Sequence, residues 1–166
     1  MQVSTKSPSS DEGHVYLKMD AGMTDVLRPS LDGAIHPITI LPGSGKSSDI
    51  GTSTESVVVV GHCCESGDLM TPKPGQPESL EERTLRTAEI GDIAVMEDGS
   101  GAYCSGMSSK NYNSFPEAPE VLVDMDGGVH LIRKRQTLHQ IYENECDVPT
   151  GVFGSAEAVT SEEVMA

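Results

Sequence analysis

Short runs in which apolar and polar residues alternate recur along the chain, and turns rich in glycine, proline and aspartate separate them. Such alternation is typical of β-strands, whose successive side chains point to opposite faces of a sheet. The pattern predicts strands at residues 14–19, 38–41, 55–64, 91–96, 120–125 and 129–133. The third of these has a continuous apolar centre, Val57–Val60, which indicates burial on both of its faces.

The last two predicted strands flank Asp126-Gly127-Gly128, residues that accept the positive φ angles of a tight turn. This combination predicts a β-hairpin. Short helices are predicted at 25–28, where Asp25 can cap a turn before Pro29, and at 137–143, where apolar residues recur at helical spacing.

Many short strands with little helix favour a mainly β fold, and we predict a closed or nearly closed antiparallel β-barrel with short helices over residues 14–143. The polar segment 1–13 predicts a frayed or disordered end, or the tail of an interrupted element. Residues 144–166 predict an acidic, solvated tail. Residues 71–89 are rich in proline and charge and predict a solvated excursion from the fold.

Charge and composition exclude several classes of function. The chain has 166 residues, with 26 acidic against 11 basic side chains and a net charge of -15, which opposes binding to a nucleic-acid backbone. The aliphatic run Val57–Val60 is far shorter than the roughly 20 residues that span a bilayer. The four cysteines and five histidines lack the spacing of a metal site, and we expect reduced thiols. The first residues carry no apolar leader, so a cytoplasmic protein is expected, or an organellar one if the true N-terminus is missing.

Four side chains capable of site chemistry stand at the ends of predicted strands, beside glycines and aspartates that shape tight loops. Arg28 offers a planar fork for a carboxylate or phosphate, and Cys64 offers a thiol that can give or take a proton. Glu65 can anchor an amine, and Tyr103 can donate a phenol hydrogen bond. Together they suit an amino-acid ligand. Taken singly, each also has a structural interpretation. Arg28 fits a surface charge at a helix end, and Cys64 fits a buried thiol of the core. Glu65 fits a carboxylate at the rim of the fold, and Tyr103 fits an aromatic ring packed against its neighbours.

Five segments occur in an order that resembles the C-terminal domain of a known enzyme family. They are Asp20-Ala21-Gly22-Met23, Leu27-Arg28-Pro29-Ser30-Leu31, Cys64-Glu65-Ser66-Gly67-Asp68, Gly101-Ala102-Tyr103, and Tyr112-Asn113-Ser114 followed by Glu120-Val121-Leu122-Val123. The family is that of the fold-type III, pyridoxal-phosphate-dependent decarboxylases, and the resemblance covers about residues 15–143. Glu65 favours the diaminopimelate branch, because the ornithine- and arginine-type enzymes usually have Asp after the same cysteine. The resemblance implies a β-barrel of the alanine racemase C-terminal type.

The resemblance also implies a role for each candidate residue. Cys64 is implied as the donor of the proton that the substrate's α-carbon gains once CO₂ has left, and Glu65 as the ligand of the distal amino group. Arg28 is implied as a contact of the distal carboxylate, and Tyr103 as a contact of both cofactor phosphate and substrate. Family members pair head to tail as homodimers, so Cys64 and Glu65 would complete the partner chain's site.

The chain departs from the family pattern in two respects. Asp32 stands where the family usually has Tyr, and it would bring a like charge towards the distal carboxylate of the substrate. The family's Schiff-base lysine and phosphate-binding loop lie in a preceding (β/α)₈ barrel, which has no counterpart in this chain. Because pyridoxal phosphate makes decarboxylation feasible, we expect the chain alone to be inactive.

We therefore interpret the chain as the C-terminal part of a decarboxylase that converts meso-diaminopimelate to lysine and CO₂ in lysine biosynthesis. Two alternatives remain open. One is a non-catalytic dimerisation module, which the absent lysine favours. The other is a decarboxylase for a different diamino acid, such as lysine or ornithine, because Asp32 would prefer an amine to a carboxylate.

Overall fold

A computed structural model describes residues 1–8, 13–99, 106–149 and 151–152. The strands are β1 (Val3–Pro8), β2 (Val15–Met19), β3 (Ile38–Leu41), β4 (Thr54–Val60), β5 (Pro72–Lys73), β6 (Gln76–Leu80), β7 (Arg83–Arg86), β8 (Ile93–Met96), β9 (Glu120–Val123) and β10 (Val129–Arg133). The helices are α1 (Arg28–Asp32) and α2 (Leu138–Tyr142), with 3₁₀ turns at Ser47–Asp49 and Tyr112–Ser114. The mainly β prediction is confirmed.

The principal sheet has four strands in the order β1-β2-β4-β7. The pairs β1/β2 and β4/β7 are antiparallel, whereas β2 and β4 run parallel. The prediction of a purely antiparallel sheet is therefore wrong at the centre of this sheet. The long connection 20–53 explains the difference, because it gives the chain enough length to cross back and lay β4 beside β2 in the same direction.

Three two-stranded ladders, β3/β8, β5/β6 and β9/β10, complete the sheets. A single bridge between Gln2 and Ile93 connects the principal sheet to β3/β8. On the other side β3 packs beside β7, where Nε of Arg86 donates to the carbonyl of Ile40 at 3.0 Å. In the described ranges no continuous ladder of backbone hydrogen bonds joins one of these sheets to another. A closed barrel is therefore not observed there.

The core lies between the principal sheet and the β3/β8 ladder. Its buried side chains are Val3, Leu17, Met19, Ile40, Val57, Val59, Met70, Ala88 and Ala94. Val58, on the opposite face of β4, is also fully buried, so the prediction of a strand covered on both faces is confirmed. A fully buried valine contributes about 1.5–3 kcal/mol of burial free energy. Because β4 carries three of them, Val57, Val58 and Val59, it is the strand on which the fold depends most.

The predicted frayed segment 1–13 is wrong for residues 3–8, which form β1. This strand was missed because its stability comes from an antiparallel backbone ladder with β2, not from an apolar stripe. Val3 is its buried apolar anchor, and Nζ of Lys6 reaches Glu55 on β4 at 2.6 Å. A polar segment can therefore extend a sheet once a paired strand is available.

The predicted excursion at 71–89 is also wrong, because the segment forms β5, β6 and β7. Its charges are engaged in the fold, as the pair between Arg86 and Asp92 at 2.6 Å illustrates. Pro72 is fully buried, so proline here occupies the core side of a strand.

The helix predicted at 25–28 instead begins at Arg28, because Pro29 is accepted in the first turn of a helix, where its missing N–H costs nothing.

The hairpin β9/β10 and the helix α2 agree with the prediction. Gly127 has φ +83° in the turn, and Thr137 caps α2 through a reciprocal pair of hydrogen bonds with Gln140. Most of the tail predicted at 144–166 lies outside the described residues, and it stays a prediction.

Candidate functional site

The segment Gly61–Asp68, here called the cysteine turn, follows β4 and reverses the chain. The N–H of Gly61 donates to the carbonyl of Asp68 at 2.9 Å, and the N–H of Asp68 donates to the carbonyl of Glu65 at 3.1 Å. These bonds close the turn tightly at the end of the most buried strand. Cys64, Glu65 and Ser66 are exposed at its tip.

The two adjacent cysteines of the turn differ in environment. Cys63 is buried, and burial raises the pKa of its thiol to about 11, an effect that the neighbouring Asp68 carboxylate reinforces. Cys63 therefore stays protonated and inaccessible near neutral pH. Cys64 is a free and exposed thiol, so of the two only Cys64 can meet a substrate.

Glu65 holds its carboxylate close to its own backbone. Its Oε2 accepts the N–H of Gly67 at 2.6 Å, and its Oε1 accepts the hydroxyl of Ser66 at 3.4 Å. A Cβ at Gly67 would lie 2.6 Å from Oε2, so a larger residue there would make the flexible Glu65 side chain move away from this position. The side chain is exposed, and its carboxylate remains accessible to an amine.

Arg28 and Asp32 lie one turn apart on α1 and bind each other. Nε and one terminal nitrogen of Arg28 donate to Oδ2 of Asp32 at 3.2 and 3.0 Å, while Asp32 Oδ1 accepts the N–H of Ala34 at 3.0 Å. The two side chains are 33% and 45% exposed, and pairs of this kind contribute about 0–1 kcal/mol. A competing carboxylate can therefore displace Asp32 from the guanidinium at little cost.

The loop 20–27, which leads into α1, is bonded directly to the cysteine turn. The N–H of His62 donates to the carbonyl of Ala21 at 3.2 Å, and Nε2 of His62 lies 2.8 Å from the hydroxyl of Thr24. Because that hydroxyl itself donates to Asp25 at 3.0 Å, Nε2 carries the proton in this arrangement. The imidazole also stacks on Phe115 at 3.7 Å.

Sequence reasoning missed the contacts of His62 and the burial of Asp68, the last residue of the cysteine turn. No local signal indicated the burial of Asp68, because aspartate is almost never fully buried unless it is paired. Nothing in the local pattern indicated that His62 would meet Phe115, which is distant in sequence.

The predicted site residues thus fall into two pairs, Cys64 with Glu65 and Arg28 with Asp32. Tyr103 lies outside the described residues. A cavity of about 850 Å³ beside His62 and Phe115 is lined by none of these four residues, so the predicted site is a surface feature and not this cavity.

The described residues offer neither a metal site nor a membrane-spanning helix. Over the described ranges, no group of three or more His, Cys, Asp and Glu side chains is arranged to hold a metal ion. Neither helix in the described part of the chain has the length or apolar character needed to cross a bilayer.

Comparison with known proteins decides the family. Residues 1–99 match the model of the pyridoxal-dependent decarboxylase C-terminal sheet domain. The chain belongs to this family. It is 42% identical over 126 residues to the diaminopimelate decarboxylase of Escherichia coli K12, covering 76% of this chain and 29% of that relative.

Solved structures agree with this membership. A crystal structure of diaminopimelate decarboxylase superposes with a TM-score of 0.76 at 38% identity, covering 86% of this chain and 32% of that one. The Helicobacter pylori diaminopimelate decarboxylase complexed with L-lysine gives a TM-score of 0.65 at 33% identity, over 86% of this chain and 30% of that one. The chain therefore spans about a third or less of the length of these decarboxylases.

Proposed function

We propose that the chain is the C-terminal part of a diaminopimelate decarboxylase, which converts meso-diaminopimelate to L-lysine and CO₂ when joined by a pyridoxal-phosphate barrel. The observation that carries this proposal is the exposed pair of Cys64 and Glu65 on a tightly bonded turn, in a chain 42% identical to the Escherichia coli enzyme. A thiol and a carboxylate side by side suit proton donation and amine binding. In this proposal the separate sheets close into the barrel of the alanine racemase C-terminal type.

The fit of the chain to pyridoxal phosphate is partial. Two of its lysines are engaged elsewhere, since Lys6 binds Glu55 at 2.6 Å and Lys110 binds Glu117 at 3.2 Å. In this proposal the Schiff-base lysine lies on the barrel, as the family resemblance implies, and Tyr103 contacts the cofactor phosphate. When bound, pyridoxal phosphate supplies the electron sink that accepts the pair of electrons left behind by CO₂.

This chain's own residues then act on the substrate. Cys64 delivers its thiol proton to the carbon that has lost CO₂ and recovers a proton from water. Glu65 holds the distal ammonium group, and Arg28 holds the distal carboxylate in place of Asp32. Because Cys64 and Glu65 are exposed, they are available to a second subunit, and we propose a homodimer in which they complete the partner's site.

A second candidate function is the decarboxylation of another diamino acid, lysine or ornithine. The position of Asp32 beside Arg28 favours it, because a carboxylate there would attract the amine of such a substrate and repel a substrate carboxylate. The sequence similarity to diaminopimelate decarboxylases favours the first function.

The role of Cys64 is tested by replacing it with alanine in the enzyme assembled from this chain and a barrel. We expect CO₂ release from meso-diaminopimelate to fall roughly 10²–10⁴-fold, the usual contribution of a positioned proton donor. The matched control is Cys146→Ala, which removes another exposed thiol and should leave the rate unchanged. Full activity of Cys64→Ala would remove Cys64 from the mechanism.

The same variant tests the shared site. Mixing Cys64→Ala assemblies with assemblies whose barrel lacks its Schiff-base lysine should restore part of the activity, because one of the two sites in a mixed dimer would then be complete. No recovery, with mixed dimers demonstrated by mass, would mean that each site is built within one subunit.

A further inference from the structure

Asp68 is a buried carboxylate that joins two loops through their backbones. The residue is only 4% exposed to solvent. Oδ2 accepts the N–H of Cys63 at 2.7 Å, within the cysteine turn, and Oδ1 accepts the N–H of Met23 at 2.7 Å, within the loop 20–27. One carboxylate thus fixes the residue next to Cys64 against the loop that leads to Arg28.

Two glycines leave the space that the carboxylate occupies. A Cβ at Gly22 would lie 2.5 Å from Oδ2 of Asp68, and a Cβ at Gly61 would overlap the same oxygen. Neither glycine has a left-handed φ. At these positions glycine therefore serves the close approach of the carboxylate and not an unusual backbone conformation.

Asp68 is held differently from Asp92, the other aspartate that is buried in the described part of the chain. Burial acts against the ionised form of Asp92, but hydrogen bonds from Glu89, Gly43 and Arg86 outweigh it and lower the pKa of Asp92. Burial raises the pKa of Asp68, and the N–H groups of Cys63 and Met23 only oppose this rise. Among the described residues, Asp68 has no ion pair with lysine or arginine.

A buried carboxylate that has no lysine or arginine partner is costly for the fold unless its hydrogen bonds are well formed. Removing Asp68 as an acceptor would leave two buried N–H groups on two loops without their partner. The cysteine turn would keep its backbone bonds, including the one from His62 to Ala21, but it would lose the two bonds that hold Cys63, the neighbour of Cys64, against the loop 20–27.

We propose that Asp68 is a positioning residue of the decarboxylation site, which fixes the direction of Cys64 by tying the cysteine turn to the loop 20–27. This role rests on the function proposed above. Asp68 itself touches neither substrate nor cofactor.

The test uses Asp68→Asn in the enzyme assembled with its barrel, with the reaction run in D₂O. Asparagine keeps one acceptor oxygen and sets an NH₂ group against a backbone N–H. We expect kcat to fall by about 10²-fold, the usual effect of misplacing a reacting group by 1 Å. We also expect a mixture of two singly labelled products, with deuterium added to one face of the carbon that lost CO₂ in some molecules and to the other face in the rest. The unchanged enzyme should add deuterium to one face only. A loss of folding alone would lower the rate and leave the labelling on one face.

Gly61→Ala provides a second variant, because it displaces the carboxylate without removing it, and it should reproduce both effects. It decides the question if Asp68→Asn does not fold. The control is Asp124→Asn, which removes a carboxylate that accepts backbone N–H groups of Asp126 and Gly128 in the β9/β10 turn. This control should change neither rate nor labelling.

The outcomes separate the two proposals. An active unchanged enzyme, with single-face labelling retained in Asp68→Asn and Gly61→Ala, would overturn the positioning role alone. An unchanged assembly that releases no CO₂ would overturn the proposed function and the positioning role together.

Discussion

At the scale of single residues, the environment separates side chains that the sequence presents as equivalent. Cys63 and Cys64 are adjacent and identical in type, but burial raises the pKa of Cys63 to about 11 while Cys64 is exposed. Asp32 and Asp68 differ in the same way, since one pairs with Arg28 at the surface and the other binds backbone N–H groups inside the fold. Chemical capability is readable from sequence, whereas availability depends on tertiary contacts.

Asp32 gives a prediction at this scale. In the proposed site, replacing it with Tyr would remove a carboxylate that competes for Arg28 and that would repel the distal carboxylate of the substrate. We expect KM for meso-diaminopimelate to fall about tenfold, since two carboxylates about 4 Å apart repel by about 1 kcal/mol or more. Asp32→Asn, which removes the charge without adding a phenol, should give a smaller fall. KM values unchanged in both variants would show that Asp32 does not face the substrate.

At the scale of elements, the short α1 is fixed by its C-terminal end. Gly33 adopts φ +68° and closes the helix with hydrogen bonds to the carbonyls of Arg28 and Pro29. The carbonyl of Gly33 accepts the N–H of Gly75, in the turn between β5 and β6. A Cβ at Gly33 would lie 2.9 Å from Cα of Gly75, so the helix and the β5/β6 hairpin meet backbone to backbone.

Gly33→Ala should therefore destabilise the chain more than Gly75→Ala. Both glycines have nearly the same φ, +68° and +67°, but a Cβ at Gly75 meets nothing within 4 Å. We expect each variant to lose about 1–2 kcal/mol from left-handed strain, and Gly33→Ala to lose about 1–3 kcal/mol more from overlap. Urea unfolding of the two variants measures the difference. Equal losses would mean that the contact between Gly33 and Gly75 is easily relieved.

The elements also show what the sequence could and could not predict. The strand β4 and the hairpin β9/β10 follow from apolar patterning and turn chemistry, which act locally. The strands β1 and β7 are polar, and they form because β2 and β4 present backbone groups that need partners. Cys64 and Glu65 are predicted site residues on the ground of their chemistry and of the family resemblance, and their roles stay predictions. Asp68 could not be given a role, because its two N–H donors lie on segments that only the fold brings together.

At the scale of the whole molecule, the hairpin β9/β10 and α2 leave much apolar surface uncovered. The exposed side chains are Val121, Leu122, Val123, Met125, Val129, Leu131, Ile132, Leu138 and Tyr142. A two-stranded hairpin is only marginally stable in water by itself. We expect this surface to promote self-association of the isolated chain, and to be covered in part if the chain is joined to the barrel proposed above.

The most direct test of the account measures CO₂ released from carboxyl-labelled meso-diaminopimelate by three samples. These are this chain alone, the N-terminal segment of the Escherichia coli relative with pyridoxal phosphate, and the two together. We predict release only from the mixture, and faster than from lysine or ornithine. No release from the mixture, under conditions in which the Escherichia coli C-terminal segment does restore activity, would contradict the account.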